Sequence, residues 1–509
     1  MGTLIQESKR QPDRRRPPDR VLKSISRIYP LCPPDKPHAA PSARPVPAFA
    51  PLMRFLAAAL VLSTFARAAT FGADVQISVD WQRRTGLDAT PLHFGLNVFQ
   101  GFDPAIAGTP GDPAYRRNVA YMRPGMIRYH HAFQARASTE SAGWILDPQT
   151  EHYRWDEAKI RAALAGAYPF NPVVMMSVVS WPAFLDDGAG KLKPEHYDAF
   201  AAFCADLVRI IHRDLGYRFP YWEVTNEKDG VYFGDCRELG EIYVRAARAM
   251  RAVDPTIKVG GPAFGSPEKG VNFEEFVAVA HAELDFISYH QYPSSSLNDS
   301  DAKIWDLAQS LGTITTNVQR KLREFTDRPI ETFHNEYNIN YRWRSAAVID
   351  PRMTTIKGAV FDALAMFSMI EAGVTGIAAW NEGDAVFGKL DDPMDGSGKR
   401  PAAHLYHIFN TWMTGAVVHS SSTDPKRVAS FAVESDRVSS VALVNRAGQP
   451  CSVRLTFAPQ NKKTRATLRL VSAEGLAETE LLPAIAAGDT PLELPEDAIA
   501  VVTFEGSAH

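Results

Sequence analysis

The chain has 509 residues, 45% apolar and 22% charged, the balance of a soluble globular protein with one large domain and a smaller one. Its formal net charge of −3, with no basic stripe in the folded part, argues against a nucleic-acid-binding surface. There are no internal repeats.

Residues 1–52 are rich in proline and arginine (Arg14-Arg15-Arg16-Pro17-Pro18, then Pro33-Pro34) and lack an apolar period that could build a core. Met53-Arg54 then opens the run Phe55-Leu56-Ala57-Ala58-Ala59-Leu60-Val61-Leu62, which leads to Ala66-Arg67-Ala68-Ala69. A short basic start, an apolar core and a small-x-small site are the layout of a secretory signal. The run is too short for a stable membrane span. The expectation is translation from Met53, a signal peptide over 53–68 and a secreted or periplasmic product. Residues 1–52 are then a start-site artefact, with a disordered tail as the alternative. Cys204, Cys236 and Cys451 remain after cleavage, too few for a disulfide framework, and are expected as buried thiols; a Cys204–Cys236 pair is the alternative.

Val75-Gln76-Ile77-Ser78-Val79 alternates apolar and polar side chains, so residues 69–90 are expected to join a C-terminal sheet. Over 91–415, short apolar runs alternate with helical patterns. The strand candidates are His93–Phe99, Gly125–His130, Pro172–Val178, Tyr221–Asn226, Lys258–Ala263, Asp285–His290, Ile330–Asn335 and Gly376–Asn381. Helical stripes lie between them, for example Phe200, Phe203, Leu207 and Ile211 within 195–213. A second is Leu239, Ile242, Tyr243, Ala246 and Met250 within 237–252. Eight strands alternating with helices predict an α/β fold, a (β/α)8 TIM barrel. No GxGxxG follows the first strand, which counts against an open dinucleotide-binding sheet. From 416 to 509 the runs Val428–Val433, Val438–Val444, Val453–Phe457, Ala466–Val471 and Ile499–Phe504 predict an antiparallel β-sandwich domain.

Two strand candidates end in the same dipeptide, Asn226-Glu227 after strand four and Asn335-Glu336 at strand seven. Catalytic groups of such barrels sit at the C-terminal strand ends. Two carboxylates there are the parts needed to cleave a glycosidic bond, one protonating the departing oxygen and the other attacking the anomeric carbon. Arg128, His130 and His131 gather at the same face, with Trp181, His290, Tyr292 and Trp380. Aromatic platforms beside hydrogen-bond donors suit the apolar faces and hydroxyls of sugars. One such residue alone would ordinarily be packing; seven at one face are harder to dismiss. Glu223, on the same strand as Glu227, is read as structural and paired with Arg128. Glu382, in a third Asn-Glu, is read as a solvated loop start. Without an HExxH, a Cys–His cluster or an EF-hand loop, no metal and no cofactor is expected, and Asp391–Gly396 reads as an exposed turn.

Several stretches resemble glycoside hydrolase family 39 of clan A, retaining enzymes with carboxylates on strands four and seven. They are Ile127-Arg128-Tyr129-His130, Trp222-Glu223-Val224-Thr225-Asn226-Glu227, Ile287-Ser288-Tyr289-His290-Gln291-Tyr292 and Asn335-Glu336-Tyr337-Asn338. Trp380 with Asp384 and Phe387, and Lys399-Arg400-Pro401-Ala402, also match. The resemblance implies Glu227 as acid/base, Glu336 as nucleophile, and Asn226 on the hydroxyl beside the anomeric carbon. It further implies Arg128 keeping Glu336 ionised, and His290 and Tyr292 on the floor of the sugar site, with Asn335 and Trp380 among the substrate-binding residues. Asn226-Glu227-Lys228-Asp229-Gly230 departs from the family's Asn-Glu-Pro and is similar to the arabinofuranosidases of family 51. The expected partner is an oligosaccharide or polysaccharide, with a β-xyloside as the default substrate. An α-L-arabinofuranosidase, an endo-acting hydrolase and a non-catalytic carbohydrate-binding relative are the alternatives. Loops 182–193, 228–236 and 338–353 shape the pocket. The last, with Tyr341, Arg342, Trp343 and Arg344, either closes over the site or meets another subunit of a homo-oligomer.

Overall fold

The computed structural model describes residues 75–98, 112–130, 144–146, 153–155, parts of 157–164, 173–342, 348–457, 463–481 and 489–506. The tail, the signal segment, His131, Trp343 and Arg344 lie outside the described residues.

Strand β1 is Val75–Ala89. The barrel follows, its strands being β2 (Gly95–Val98), β3 (Met126–Tyr129), β6 (Val173–Val178), β7 (Tyr221–Val224), β8 (Lys258–Phe264), β9 (Phe286–Gln291), β10 (Glu331–Tyr337) and β11 (Gly376–Ala379). A hairpin of β4 (Trp144–Leu146) and β5 (Tyr153–Trp155) is inserted after β3. The eight barrel strands close in the order β10-β11-β2-β3-β6-β7-β8-β9, every adjacent pair parallel. Each lies on one of the eight predicted runs. Inward-facing residues at the N-terminal end, Met126, Met175, Tyr221, Phe286, Phe333 and Ala378, form a plug. Its rings meet edge to face, Tyr221 to Phe333 at 5.0 Å and Phe286 to Phe333 at 5.2 Å. A Cβ at Gly260 would come within 2.5 Å of the Phe286 ring, so the plug needs glycine there. This filled floor confines an open cavity to the other end, where the strands' C-termini lie.

The stripe read over 237–252 is the helix Cys236–Val253, which buries Leu239, Ile242, Tyr243, Ala246 and Met250. The stripe over 195–213 is the helix Tyr197–Arg209, continued by a wider π turn, Ile210–Asp214. Among the described residues no helix is long and apolar enough to cross a membrane.

The C-terminal strands are β12 (Gly415–Ser422), β13 (Val428–Glu434), β14 (Val438–Asn445), β15 (Cys451–Phe457), β16 (Lys463–Ser472), β17 (Gly475–Leu481), β18 (Asp489–Leu494) and β19 (Ile499–Gly506). With β1 they make one nine-stranded sheet, ordered β17-β16-β19-β14-β13-β12-β1-β15-β18. It curls on itself, so Val453, Leu455 and Leu492 near one end share a core with Val441, Val502 and Ala466 near the other. The two layers expected of a sandwich are thus parts of one continuous sheet. β1 pairs antiparallel with β12 and parallel with β15, an exception to an otherwise antiparallel arrangement. Cys204, Cys236 and Cys451 are free and buried.

Candidate active site

The C-terminal barrel face gathers charged groups around one guanidinium. Arg128, at the end of β3, has no solvent-exposed surface. Its Nε donates to Glu223 at 2.8 Å and its Nη2 lies 2.6 Å from the same carboxylate. Nη1 donates to Asn97 at 2.9 Å and to Glu336 at 3.2 Å, and Nη2 also donates to Asn226 at 2.5 Å. Glu223 takes a further donor, the Asn335 amide, at 2.5 Å. Burial alone would raise the Glu223 pKa; the charge of Arg128, with Ser288, His290 and Asn335, overcomes it and leaves the group below its ordinary value. The structural reading of Glu223 holds.

Two departures from regular strand geometry aim Glu227 and Glu336. Past β7, Thr225 (φ 70°) and Glu227 (φ 53°) occupy the left-handed region, which costs a non-glycine residue roughly 1–3 kcal/mol. Backbone bonds hold that turn: Thr225 N–H to Val178 at 2.9 Å, Asn226 to Val179 at 3.1 Å and Glu227 to Ala263 at 2.8 Å. Consecutive residues Asn226 and Glu227 consequently reach the same cluster. In β10 the register against β9 slips between His334 and Glu336, so Asn335 is the extra residue of a bulge. Asn335 points into the barrel toward Glu223, and Glu336 beside it also reaches the cleft.

The two carboxylates meet at His290. Its Nδ1 lies 2.8 Å from Glu227 Oε1 and 3.5 Å from Glu336 Oε2. One oxygen of Glu227 and one of Glu336 come within 4.8 Å of each other. Tyr292 donates to the other Glu336 oxygen at 2.6 Å. The Glu227 side chain is 42% exposed and that of Glu336 only 9%, so the cleft opens at Glu227.

Burial raises the pKa of both carboxyls. Arg128 lies beside Glu336 and favours its ionised form, but burial outweighs it, since the same guanidinium also serves Glu223 and two asparagines. The opposing influences are unequal. Glu336 is drawn down by His290, Arg128 and the Tyr292 hydroxyl but pushed further up by the neighbouring charge of Glu227, whereas Glu227 is drawn down by Arg128. Burial also holds His290 below its ordinary value.

Other expected residues divide between cleft and packing. His130 and Trp380 are buried and meet edge to face at 5.1 Å. Trp181 is buried, packed against Phe200 and Tyr232, with the Lys228 ammonium 4.2 Å above its ring. It presents no open platform here. Asn335 is fully buried and its amide is committed to Glu223, not to a ligand. Glu382 is not solvated: it is fully buried and accepts from Tyr115. Asp384 accepts from the backbone N–H groups of Val386, Phe387 and Gly388, a turn that sets Phe387 against Tyr292 with ring centres 6.4 Å apart. Asn97, which sequence reasoning passed over, bridges Arg128 and the Asn335 carbonyl. An asparagine inside a strand-forming run was its only signal. Among the described residues, Glu227, His290 and Glu336 are the group that could hold a cation; the His290–Glu227 hydrogen bond and the bonds of Glu336 to Arg128 and Tyr292 account for the cluster equally well.

Comparisons with known proteins give a family match over part of the chain and likenesses of fold. A family model described as glycosyl hydrolases family 39 matches residues 212–373. A beta-xylosidase of Caldicellulosiruptor saccharolyticus is 27% identical over 158 residues, 28% of this chain and 31% of the relative. The chain thus matches about a third of that relative's length. Among solved structures, a monomeric beta-xylosidase from Caulobacter crescentus superposes with a TM-score of 0.63 at 16% identity, covering 85% of this chain and 100% of the other. A family 51 alpha-L-arabinofuranosidase from Bifidobacterium longum gives 0.62 at 15% identity, covering 86% and 100%. These last two likenesses are likenesses of fold.

Proposed function

We propose that this chain, which resembles glycosyl hydrolase family 39 in sequence motifs, family match and fold, is a retaining glycoside hydrolase. The observation that carries the reading is the pair of strand-end carboxylates whose nearest oxygens lie within 4.8 Å. Retaining glycosidases hold their carboxyl groups about 5–5.5 Å apart, inverting ones about 6.5–9.5 Å apart to admit a water. Glu336 attacks the anomeric carbon and forms a glycosyl ester, while Glu227 gives its proton to the departing oxygen. Glu227, now ionised, removes a proton from water, which attacks the same carbon and releases Glu336. Asn226, held by Arg128, is placed beside the reacting centre, and Tyr292 fixes the nucleophile's second oxygen. A β-xyloside is the favoured substrate, on the likeness to a beta-xylosidase. An α-L-arabinofuranoside is the second reading, favoured by Lys228-Asp229-Gly230 after Glu227 and by the shared fold with a family 51 enzyme.

A panel of aryl glycosides tests this. Wild type is expected to hydrolyse one glycone. Glu227→Ala is expected to lose about 10²- to 10⁴-fold on a poor leaving group and to regain turnover with azide as a glycosyl azide. Formation of the azide product with inverted rather than retained configuration would defeat the double displacement.

The pH profile offers a separate check. Activity needs Glu336 ionised and Glu227 protonated, so Glu336 sets the acidic limb and Glu227 the basic one. The Tyr292 hydroxyl favours ionised Glu336. Tyr292→Phe is therefore expected to move the acidic limb of kcat/KM to higher pH while the basic limb stays; a shift of both limbs together would contradict the assignment. We also propose export by the 53–68 segment, which N-terminal sequencing of secreted protein tests. A mature end inside residues 1–52 would exclude it.

A further inference from the structure

Among the described residues, the large hydrophobic side chains left exposed are Val231, Phe233, Val271, Tyr341 and Met394. Every one of them lies on a loop that follows a barrel strand: β7 for Val231 and Phe233, β8 for Val271, β10 for Tyr341 and β11 for Met394. Exposed apolar surface is therefore concentrated on the catalytic face. Three of the five, exposed by 38%, 55% and 57% for Val231, Phe233 and Val271, come from two neighbouring loops.

Those loops are joined to each other and to Glu227. Glu227 opens the short helix Lys228–Gly230, after which Val231 and Tyr232 bond back to the Lys228 carbonyl at 2.9 Å each. Gly265 of the β8 loop donates to Asp229 at 2.9 Å, and a Cβ on it would touch Glu227 Cγ at 3.4 Å. Asn272 spans the same gap: its amide donates to the Asp229 carbonyl at 3.1 Å, and its oxygen accepts from Gly234 N–H at 3.1 Å. The Phe233 ring lies against Gly270, where a Cβ would be 3.3 Å away, and the side chain of Lys269, itself exposed, reaches over the ring with its ammonium 5.2 Å from the centre; unlike buried Trp181, Phe233 keeps 55% of its surface exposed. The result is a ledge of two loops fixed to each other, one beginning at Glu227 and the other touching it.

We infer that Phe233, flanked by Val231 and Val271, is a stacking platform for sugars of the leaving group, which makes an oligosaccharide the substrate class. This rests on the glycosidase reading above. The residue that protonates the departing oxygen must face the leaving group, and Glu227 is both that residue and the one the cleft opens beside. A chain leaving over Glu227 passes along the loop that follows it. Sugar rings present flat C–H faces, and an exposed aromatic ring held by backbone on one side is a surface they stack on.

The test compares xylotetraose with β-xylosyl fluoride, whose leaving group is a single atom and cannot reach the ledge. Phe233→Ala is expected to lower the ratio of kcat/KM for xylotetraose over the fluoride by about tenfold, and Phe233→Trp to preserve it. An unmoved ratio in Phe233→Ala overturns the platform. So does a wild-type dimer that Phe233→Ala converts to monomer with the ratio intact, since the ledge would then be a contact between copies. A wild type that cleaves neither compound overturns the β-xylosidase reading on which the platform rests, an outcome distinct from a cleaving enzyme with an unmoved ratio.

Discussion

Glu336→Gln is expected to lower kcat/KM on its best substrate by about 10⁴-fold or more while raising thermal stability at neutral pH. The first effect follows from the proposed mechanism: an amide cannot form the glycosyl ester, and without that intermediate the proposed two-step path is closed. The second follows from linkage. Burial raises the Glu336 pKa in the folded state above its value in the unfolded chain. Below the unfolded value both states are protonated and nothing is lost. As pH rises through the folded value, the native state must carry a charge it disfavours, and stability falls. Glutamine carries no such charge, so the melting-temperature gain over wild type should be present at pH 7 and shrink toward pH 4. One Arg128 shared among Glu223, Glu336 and, at longer range, Glu227 is the structural cause. Equal melting temperatures at pH 7 would show that the charge of Glu336 is fully compensated in the fold.

Arg128→Met is expected to cost roughly 3–5 kcal/mol of stability, the usual consequence of stripping one partner from a buried ion pair. Glu223 has no exposed surface and would keep only Ser288 and the Asn335 amide from among its present side-chain donors. Asn97 and Asn226 would each lose a donor, and the turn carrying Glu227 its side-chain tether. The double variant Arg128→Met/Glu223→Met separates the two roles of the guanidinium. If an unpaired charge causes the instability, the double variant recovers much of the loss in a urea titration. Activity should stay low because Glu336 and Asn226 remain unsupported. A single variant within about 1 kcal/mol of wild type would mean that Glu223 is neutral in the fold.

Much of this architecture is written in residue patterns, because a barrel strand is a short apolar run and the runs are separated by helical stripes. The closed eight-stranded order and the approach of Arg128, Asn226, Glu227, His290, Tyr292 and Glu336 follow from strand count and strand ends. Aim is less legible. Asn335 and Glu336 both serve the interior because a bulge breaks alternation, and a bulge has no residue signature here. Likewise, Thr225 is a poor candidate for a positive φ, yet it takes one because three neighbouring carbonyls fix the turn. Trp181 looks like a sugar platform until Phe200 and Tyr232 are seen around it. In the C-terminal sheet, β17 (Gly-Leu-Ala-Glu-Thr-Glu-Leu) was missed because it lies at an edge with little buried surface, so it lacks the alternation that betrays a strand.

The position of β1 has a consequence for the order in which this molecule can be assembled. Ile77 pairs with Ser422 on one side and with Leu455 on the other. A ribosome adding about 5–20 residues per second makes the first of those partners tens of seconds after β1 itself. During that interval both edges of β1 are open, and the barrel strands between are already available to fold. The curled sheet is therefore the last part of the chain to close, and it closes around its earliest strand. Truncating the chain before β15 would leave β1 with one edge bare, a template for pairing between molecules.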